Sequence, residues 1–438
     1  MNINNTCVIR EDIETIIPGG THTYSKGDDQ FPVNCPKLFE RGDTCYLYCM
    51  KGNKFLDYGM GLRSVTVGYN NDIVNNGAIN GITKGNNLTK ASTLELEAAK
   101  LFVNTVGTDM VKFAKNGSNV TTAAVKLSRA YNNKQYVIRC NQPFFSFDDW
   151  FIGTTVVNRG VPCDHYKYTL QFNYNDLDGL IKLFEEYDKN ISCLIMEPIT
   201  KDMPQMFGED NFLVKVRELC DKYNVVLIFD EMITGFRYGI RGAGIEFGVK
   251  ADLLTFGKGI ANGFSIAALT GKREIMDLGN INKIGHERVF LLSSTHGAEM
   301  SSLGALIETI KLYNDKNIIK HIWEYGKDLI RLINNISKDY GIYDYFKLEG
   351  LDCSPVIITL NKNKEPCLKF RTLFLQEMIK NGVLIPYISI SYSHGPKELI
   401  HTVSAVKKSL KIYKLAINTD IDKYLEGRPI KPVFRKYN

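Results

Sequence analysis

The chain has 438 residues, 44% hydrophobic and 23% charged, with a formal net charge of +6. That is the composition of an ordinary globular protein with room for one large α/β domain and a smaller one, and it excludes a disordered chain. Lysines and arginines are scattered among acids, which excludes a nucleic-acid stripe and leaves room for an anionic small molecule.

No window of about 18 apolar residues occurs, so no membrane span is expected. The opening run MNINNTCVIREDIETI has neither a basic n-region nor an apolar h-region, and the expected compartment is the cytoplasm. The ten cysteines are dispersed without a Cys-x-x-Cys pair. Cys45 and Cys49, in TCYLYC, have the spacing of neither a zinc ribbon nor a redox motif, so structural thiols and no metal are expected.

Along the chain, Thr44 to Tyr58 reads as two short strands around the turn Lys51-Gly52-Asn53, a hairpin suited to a peripheral lobe. From about residue 90, helical patterns alternate with short apolar strands, which predicts a mainly parallel sheet covered by helices. Helices are expected at LELEAAKLFVNTV, TTAAVKLSRAYNN and FLVKVRELCDKYN, and strands at CLIMEP, VVLIFD and ADLLTFGKG. Helices dominate again from about Ala298. A strand at SPVIITL and a helix near ELIHTVSAVKKSLKIY then suggest an α+β lobe at the C-terminal end. No repeat or linker divides the chain.

Three of the predicted strands end in polar residues: Glu197, Asp230 and Lys258. In a doubly wound sheet, ligands bind outside the carboxyl ends of the strands. A carboxylate and a lysine at neighbouring strand ends suit pyridoxal 5′-phosphate (PLP), whose ring is an electron sink only while its nitrogen stays protonated. Asp230 is the candidate partner of that nitrogen, and Lys258 the candidate to bond the cofactor aldehyde and then move the substrate proton. Gly257 and Gly259 would let backbone and cofactor approach closely. Taken alone, Asp230 reads more often as a helix cap and Lys258 as a surface turn. Gly257-Lys258 also resembles the end of a P-loop, but Asp252 stands where that motif needs a glycine, and Gly259 where it needs Ser or Thr. A phosphate site is offered by Asn116-Gly117-Ser118-Asn119 before a helix, whose free N–H groups attract an anion; the same residues read alone as an ordinary cap.

VVLIFDEMITGFR followed by TFGKGIANGFSIAALTG resembles the signature of the class III aminotransferases, within PLP fold type I. The order PGGTHTYSKG, NGSN, MEPI, DEMITGFR, GKG and SSTHGAE matches as well, over about residues 15 to 410. Within that family the pattern is similar to glutamate-1-semialdehyde aminomutase and its aminotransferase relatives. The resemblance implies an α/β enzyme with a large domain on a mainly parallel seven-stranded sheet and a small α+β domain from both chain ends. The expected segments are 1–75 in the small lobe, 76–310 as the PLP-binding domain, and 311–438 in the small domain.

It also implies roles. Gly117, Ser118 and Asn119 hold the cofactor phosphate, Asp230 pairs with the ring nitrogen, Met232 lies against the cofactor, and Lys258 is the Schiff-base residue. Phe144, in PFFSFDDW, takes the place of the stacking aromatic, although the family's Tyr-His pair is missing. Thr295 matches the threonine that reaches the phosphate of the partner subunit's cofactor, which implies a homodimer with composite sites. Glu197 matches the acid of the family's EP motif, in contact with substrate or as a structural acceptor. At the aminomutase's carboxylate-binding positions stand Thr23 and Lys26, and Arg63 is expected beside the pocket or on the surface. Lysine holds a carboxylate as a point charge rather than as a fork. IPYISISYSHG lacks the late acid of the aminomutases. The expected activity is therefore transfer of an amino group from an amino-acid donor to a ketone or aldehyde, with a sugar-derived or phosphorylated acceptor suggested by analogy with surface-glycan pathways. An intramolecular aminomutase and a non-catalytic binding protein are the alternatives.

Overall fold

A computed structural model describes residues 13–142 and 146–438. The chain divides into two compact units: one comprises Ser64–Thr66 and Asp72–Ile319, the other the chain up to Arg63, Val67–Asn71 and Lys320–Asn438.

In the second of these, β1 (Phe39–Asp43), β2 (Tyr46–Cys49) and β3 (Lys54–Asp57) form an antiparallel meander. The expected hairpin closes at Gly52, whose φ of 78° suits a residue without Cβ and whose N–H donates to Cys49 O at 2.8 Å. The sequence reading had no strand at β1, because FERGD carries three charges and no alternation.

The other unit holds β4 (Met110–Ala114), β5 (Tyr136–Cys140), β6 (Thr169–Phe172), β7 (Ile191–Met196), the two-residue pair β8 (Met206–Phe207) and β9 (Asp210–Asn211), β10 (Val226–Asp230), β11 (Leu253–Phe256) and β12 (Ala267–Gly271). Seven of them form one sheet in the order β4-β12-β11-β10-β7-β5-β6. Only β12 is antiparallel to its neighbours; every other pairing is parallel. Every residue of β7, β10, β11 and β12 is buried, which is why CLIMEP, VVLIFD and ADLLTFGKG read as apolar runs rather than alternating strands.

Helix ends in this unit follow local chemistry. Ser92 caps Thr93–Val106 by accepting from Glu95 N, and Gly107 stops it at φ 75°. Asn211 caps Phe212–Tyr223 and Asn224 ends it in the left-handed region. The helix Asp72–Thr83 has no such propensity, with three asparagines and two glycines. It is held by close packing on helix Met300–Asp315: a Cβ at Gly77 would lie 2.5 Å from Gly304 O, and one at Gly81 would lie 2.2 Å from Met300 O.

The C-terminal segment adds β13 (Phe346–Glu349), paired with β14 (Val356–Thr359), and β15 (Val383–Leu384), which extends the meander as a parallel neighbour of β3. Cys35, Cys49, Phe55, Ile379 and Leu384 form a buried cluster there. Burial pushes the Cys35 thiol up to about 12, as expected of an inert structural cysteine. Among the described residues no helix is long and apolar enough to cross a membrane.

Candidate active site

β10 and β11 are parallel neighbours in the register Ile228↔Leu253, Phe229↔Leu254, Asp230↔Thr255. Their carboxyl ends therefore release the chain side by side, Asp230 from one and, two residues past Phe256, Lys258 from the other. Asp230 is 1% exposed. Its Oδ1 accepts from Thr255 Oγ1 at 3.0 Å and from Met232 N at 3.0 Å. Among the described residues neither bond falls on Oδ2, so that oxygen remains for one more donor. Burial pushes the carboxyl up to about 6, while the charge of Lys258 and the two hydrogen bonds pull it down.

Lys258 has φ 43°, a left-handed conformation that costs a residue with a side chain about 1 kcal/mol. It opens the tight turn Lys258–Ala261, and this turn is braced from Thr66, whose hydroxyl donates to Gly259 O at 3.3 Å and whose N–H donates to Asn262 Oδ1 at 2.9 Å. A Cβ at Gly259 would lie 2.8 Å from Thr66 Cγ2, so the absent side chain is what admits this brace.

The 16-residue helix Gly117–Asn132 begins at the NGSN run, four residues earlier than the TTAAVKLSRAYNN pattern predicts. Asn116 caps it, accepting from Asn119 N at 3.0 Å. Ser118 is 5% exposed, and its Oγ accepts from Phe147 N at 3.1 Å, which leaves the hydroxyl proton to donate. Met232 ties this helix start to the lysine turn: a Cβ built on Gly117 would lie 3.3 Å from its Sδ, and one on Gly257 only 2.5 Å. The structure thus gathers Gly117, Ser118, Asn119, Asp230, Met232 and Lys258 in one unit.

Glu197 is buried directly after β7, and the neighbouring Pro198 O accepts from Tyr174 Oη at 2.6 Å. Thr295 is exposed in a turn of the same unit. Phe144 lies outside the described residues; after it, Trp150 Nε1 donates to Thr122 Oγ1 at 2.7 Å, anchoring the end of its run on the helix. The other three candidates belong to the other unit. Lys26 lines a cavity of about 480 Å³ together with Ser25, Thr21 and Tyr69, whereas Thr23 is exposed and outside its lining. Arg63 is half-buried, donates to Ser354 Oγ at 3.0 Å and lies 4.7 Å over the Tyr387 ring.

Two residues escaped the sequence reading. Thr255 had a signal, its place three residues before Lys258 in TFGKG. Glu231 is buried, accepts from Ala243 N and Gly244 N at 2.9 Å and from Thr234 Oγ1, and so folds the loop after β10.

These residues fit PLP. Oδ2 of Asp230 would accept from the ring nitrogen, the N–H groups of the helix start and the Ser118 hydroxyl would take the phosphate, and Lys258 stands at the adjacent strand end for the aldehyde. The model of the family "Aminotransferase class-III" matches residues 24–389. The chain belongs to the class III aminotransferases. As a member it is a PLP-dependent enzyme. This class III aminotransferase is similar to the 3-aminobutyryl-CoA aminotransferase of Cloacimonas acidaminovorans (strain Evry), with 29% identity over 408 residues covering 91% of this chain and 95% of that one. It is also similar to glutamate-1-semialdehyde 2,1-aminomutase of Francisella tularensis subsp. tularensis (strain WY96-3418), at 27% over 432 residues, 93% and 98% of the two chains. Among solved structures, the FumI protein of Sphingopyxis sp. MTA144 superposes with a TM-score of 0.84 at 22% identity, covering 94% of this chain and 97% of that one. An omega-transaminase from Sphaerobacter thermophilus gives 0.82 at 20%, covering 93% and 98%. The seven-stranded α/β architecture is thus that of the PLP-dependent transaminases.

Proposed function

We propose that this class III aminotransferase moves an amino group from an amino-acid donor to a separate ketone or aldehyde, using Lys258 as the proton carrier and Asp230 as the partner of the ring nitrogen. The observation that carries the reading is the Asp230 carboxylate, buried and tied among the described residues through Oδ1, under the field of Lys258. When bound, PLP supplies an electron sink for the substrate carbon that loses its proton. Asp230 keeps the ring nitrogen protonated, because an N–H⁺ donor on Oδ2 stabilises the ionised carboxylate that burial alone disfavours. Lys258 Nζ takes the proton from one carbon and returns it to another. Gly117, Ser118 and Asn119 would hold the phosphate, and Met232, beside Gly257, would lie against the cofactor.

Lys26 would hold an acidic group of the substrate, and the hydroxyls of Ser25 and Thr21 in the same cavity suit a hydroxylated, sugar-derived or phosphorylated acceptor. A lone ammonium in place of an arginine, and the absence of an acid in IPYISISYSHG, favour transfer between molecules over the aminomutase reading. Glu197, buried at the end of β7, would act as a structural acceptor. A homodimer is supported by exposed apolar side chains, Ile79 and Ile82 on one helix with Leu88 and Leu96 after it, and by the exposure of Thr295, which would reach the other subunit's phosphate. All nine described cysteines are free thiols, in keeping with the cytoplasm.

The test is to add glutamate, glutamine, alanine and aspartate singly to the PLP-loaded enzyme and follow its visible absorbance. Loss of that band with one donor, and appearance of that donor's ¹⁵N label in a second carbonyl compound, is the expected result. A band that no donor shifts, with conversion of a single amino aldehyde, would overturn transfer between molecules in favour of the aminomutase.

A further inference from the structure

A second cavity, of about 320 Å³, opens between β14, the start of helix Leu368–Lys380 and the segment after β15. Its walls are largely apolar, with Val356, Ile358, Leu360 and Leu368 among them, except where two guanidinium groups line it, Arg63 and Arg371. Arg371 donates through Nη1 to Ile357 O at 3.2 Å and through Nη2 to Pro386 O at 2.5 Å. These carbonyls fix its plane without neutralising it. Among the described residues no carboxylate pairs with Arg371, and burial pushes the guanidinium down to about 10. Arg63 stands on the same wall, donating to the Ser354 hydroxyl at 3.0 Å and to the Ile388 carbonyl at 3.5 Å and lying over the face of Tyr387. Its φ of 69° is itself unfavourable for a side-chain-bearing residue, so the backbone is committed to this placement.

A buried cation such as Arg371, with no carboxylate beside it among the described residues, is costly, and a planar guanidinium is the side chain best shaped to take two oxygens of an acidic group. We propose that this cavity binds a small organic anion, an acidic head of the carboxylate or phosphate type gripped between Arg63 and Arg371, with a short apolar body against Val356 and Leu368. The site is separate from the Lys26 cavity. Tyr387 belongs to the lining of both, and its hydroxyl donates to Gly59 O at 3.2 Å. The apolar wall selects against bare head groups, since free phosphate or acetate would leave most of that surface wet.

The experiment is calorimetric titration of the PLP-loaded enzyme, freed of excess cofactor, with 4-methylpentanoate and with isobutyl phosphate, acetate and inorganic phosphate serving as head groups alone. Saturable binding of one or both branched probes is expected, and whichever binds identifies the head group. Arg63→Gln and Arg371→Gln should each weaken that binding by at least about tenfold, the loss of a charge-assisted hydrogen bond. Lys26→Gln should leave it within about twofold. If Arg371→Gln loses the cooperative melting of the wild type, Arg63→Gln decides alone. Absence of binding by both branched probes, binding that survives the arginine substitutions, or binding abolished by Lys26→Gln would each overturn the proposal.

Discussion

Thr255 stands opposite Asp230 across adjacent parallel strands, and its hydroxyl donates to Oδ1 at 3.0 Å. This bond turns a buried carboxylate so that one oxygen is spent on the protein and the other is kept for a ligand. Asp230→Asn replaces the acceptor and removes the charge, and kcat is expected to fall by about 100-fold or more. Thr255→Val leaves the charge but frees its orientation, and a loss of about five- to tenfold in kcat is expected from one hydrogen bond. Steady-state kinetics on both variants, with cofactor content measured in parallel, checks the order; equal losses would mean that Thr255 does more than orient Asp230.

Lys258→Ala should abolish transfer. Borohydride reduction, which fixes the cofactor to the lysine that bears it, should label the wild-type peptide around Lys258 and leave the variant unlabelled. Labelling of another lysine in the wild-type enzyme would remove Lys258 from its role.

Met232 Sδ lies where a Gly257 Cβ would come within 2.5 Å. Gly257→Ala is therefore expected to cost about 1–3 kcal/mol of stability through overpacking. Pairing it with Met232→Ala should recover part of that cost, because the two changes act at one contact. Thermal melts of the four proteins in this cycle give the coupling; strict additivity would show that the contact is not what excludes a side chain at 257.

His394 is fully buried and stacked on Tyr58 at 4.6 Å, with Nδ1 accepting from Ser391 N at 3.0 Å and Nε2 facing Asp57 O at 3.2 Å. Burial lowers its pKa from 6.5 to about 4. Between those values the unfolded chain binds a proton that the folded one refuses, so this group's contribution to stability is full above pH 6.5 and is lost as pH falls toward 4, by about 3 kcal/mol. Asp57 and Asp230, pushed up to about 6, and Glu231, pushed up to about 7, have the opposite slope, binding protons in the folded state first. The measurement is consequently a difference: denaturant unfolding at pH 4.5 and 7 should show a smaller acid loss, or a larger acid gain, in His394→Gln than in the wild type.

The C-terminal residues lace onto the segment that follows Lys26. Arg428 donates to Asp28 O at 2.6 Å and to its Oδ2 at 2.8 Å, Lys431 N donates to Asp29 O at 2.9 Å, and Arg435 pairs with Asp29 at 2.6 Å. Burial works against ionisation of Asp28, yet Lys37 and Arg428 hold its carboxyl below the usual range. Arg428→Ala should cost about 1–3 kcal/mol, the price of an unpaired half-buried partner. Hydrogen exchange should rise in residues 20–31, with KM increasing more than kcat changes. Unaltered exchange there would mean that the tail does not position Lys26.

Much of the large unit was legible before the structure, for a local reason. Strands buried on both faces need continuous apolar runs, so VVLIFD and ADLLTFGKG declare themselves, and the polar residue that ends each run is where chemistry can begin. Asn116-Gly117-Ser118-Asn119 is likewise a local signal, since a cap is made by neighbours in sequence. Helix Asp72–Thr83 was not legible: its glycines and asparagines argue against a helix, and only the close approach of Gly304 and Met300 makes them necessary. The same holds for β12, antiparallel in an otherwise parallel sheet, for the placement of Lys26 rather than Thr23 in a cavity wall, and for Arg428 meeting Asp28 from 400 residues away. By itself the sequence determined which residues carry charge at the ends of buried strands, because burial and helix capping are imposed within a few residues. Which oxygen of Asp230 is occupied, and that Thr255 occupies it, was decided only when β10 met β11 in one particular register, and register is a property of strand pairing rather than of either strand.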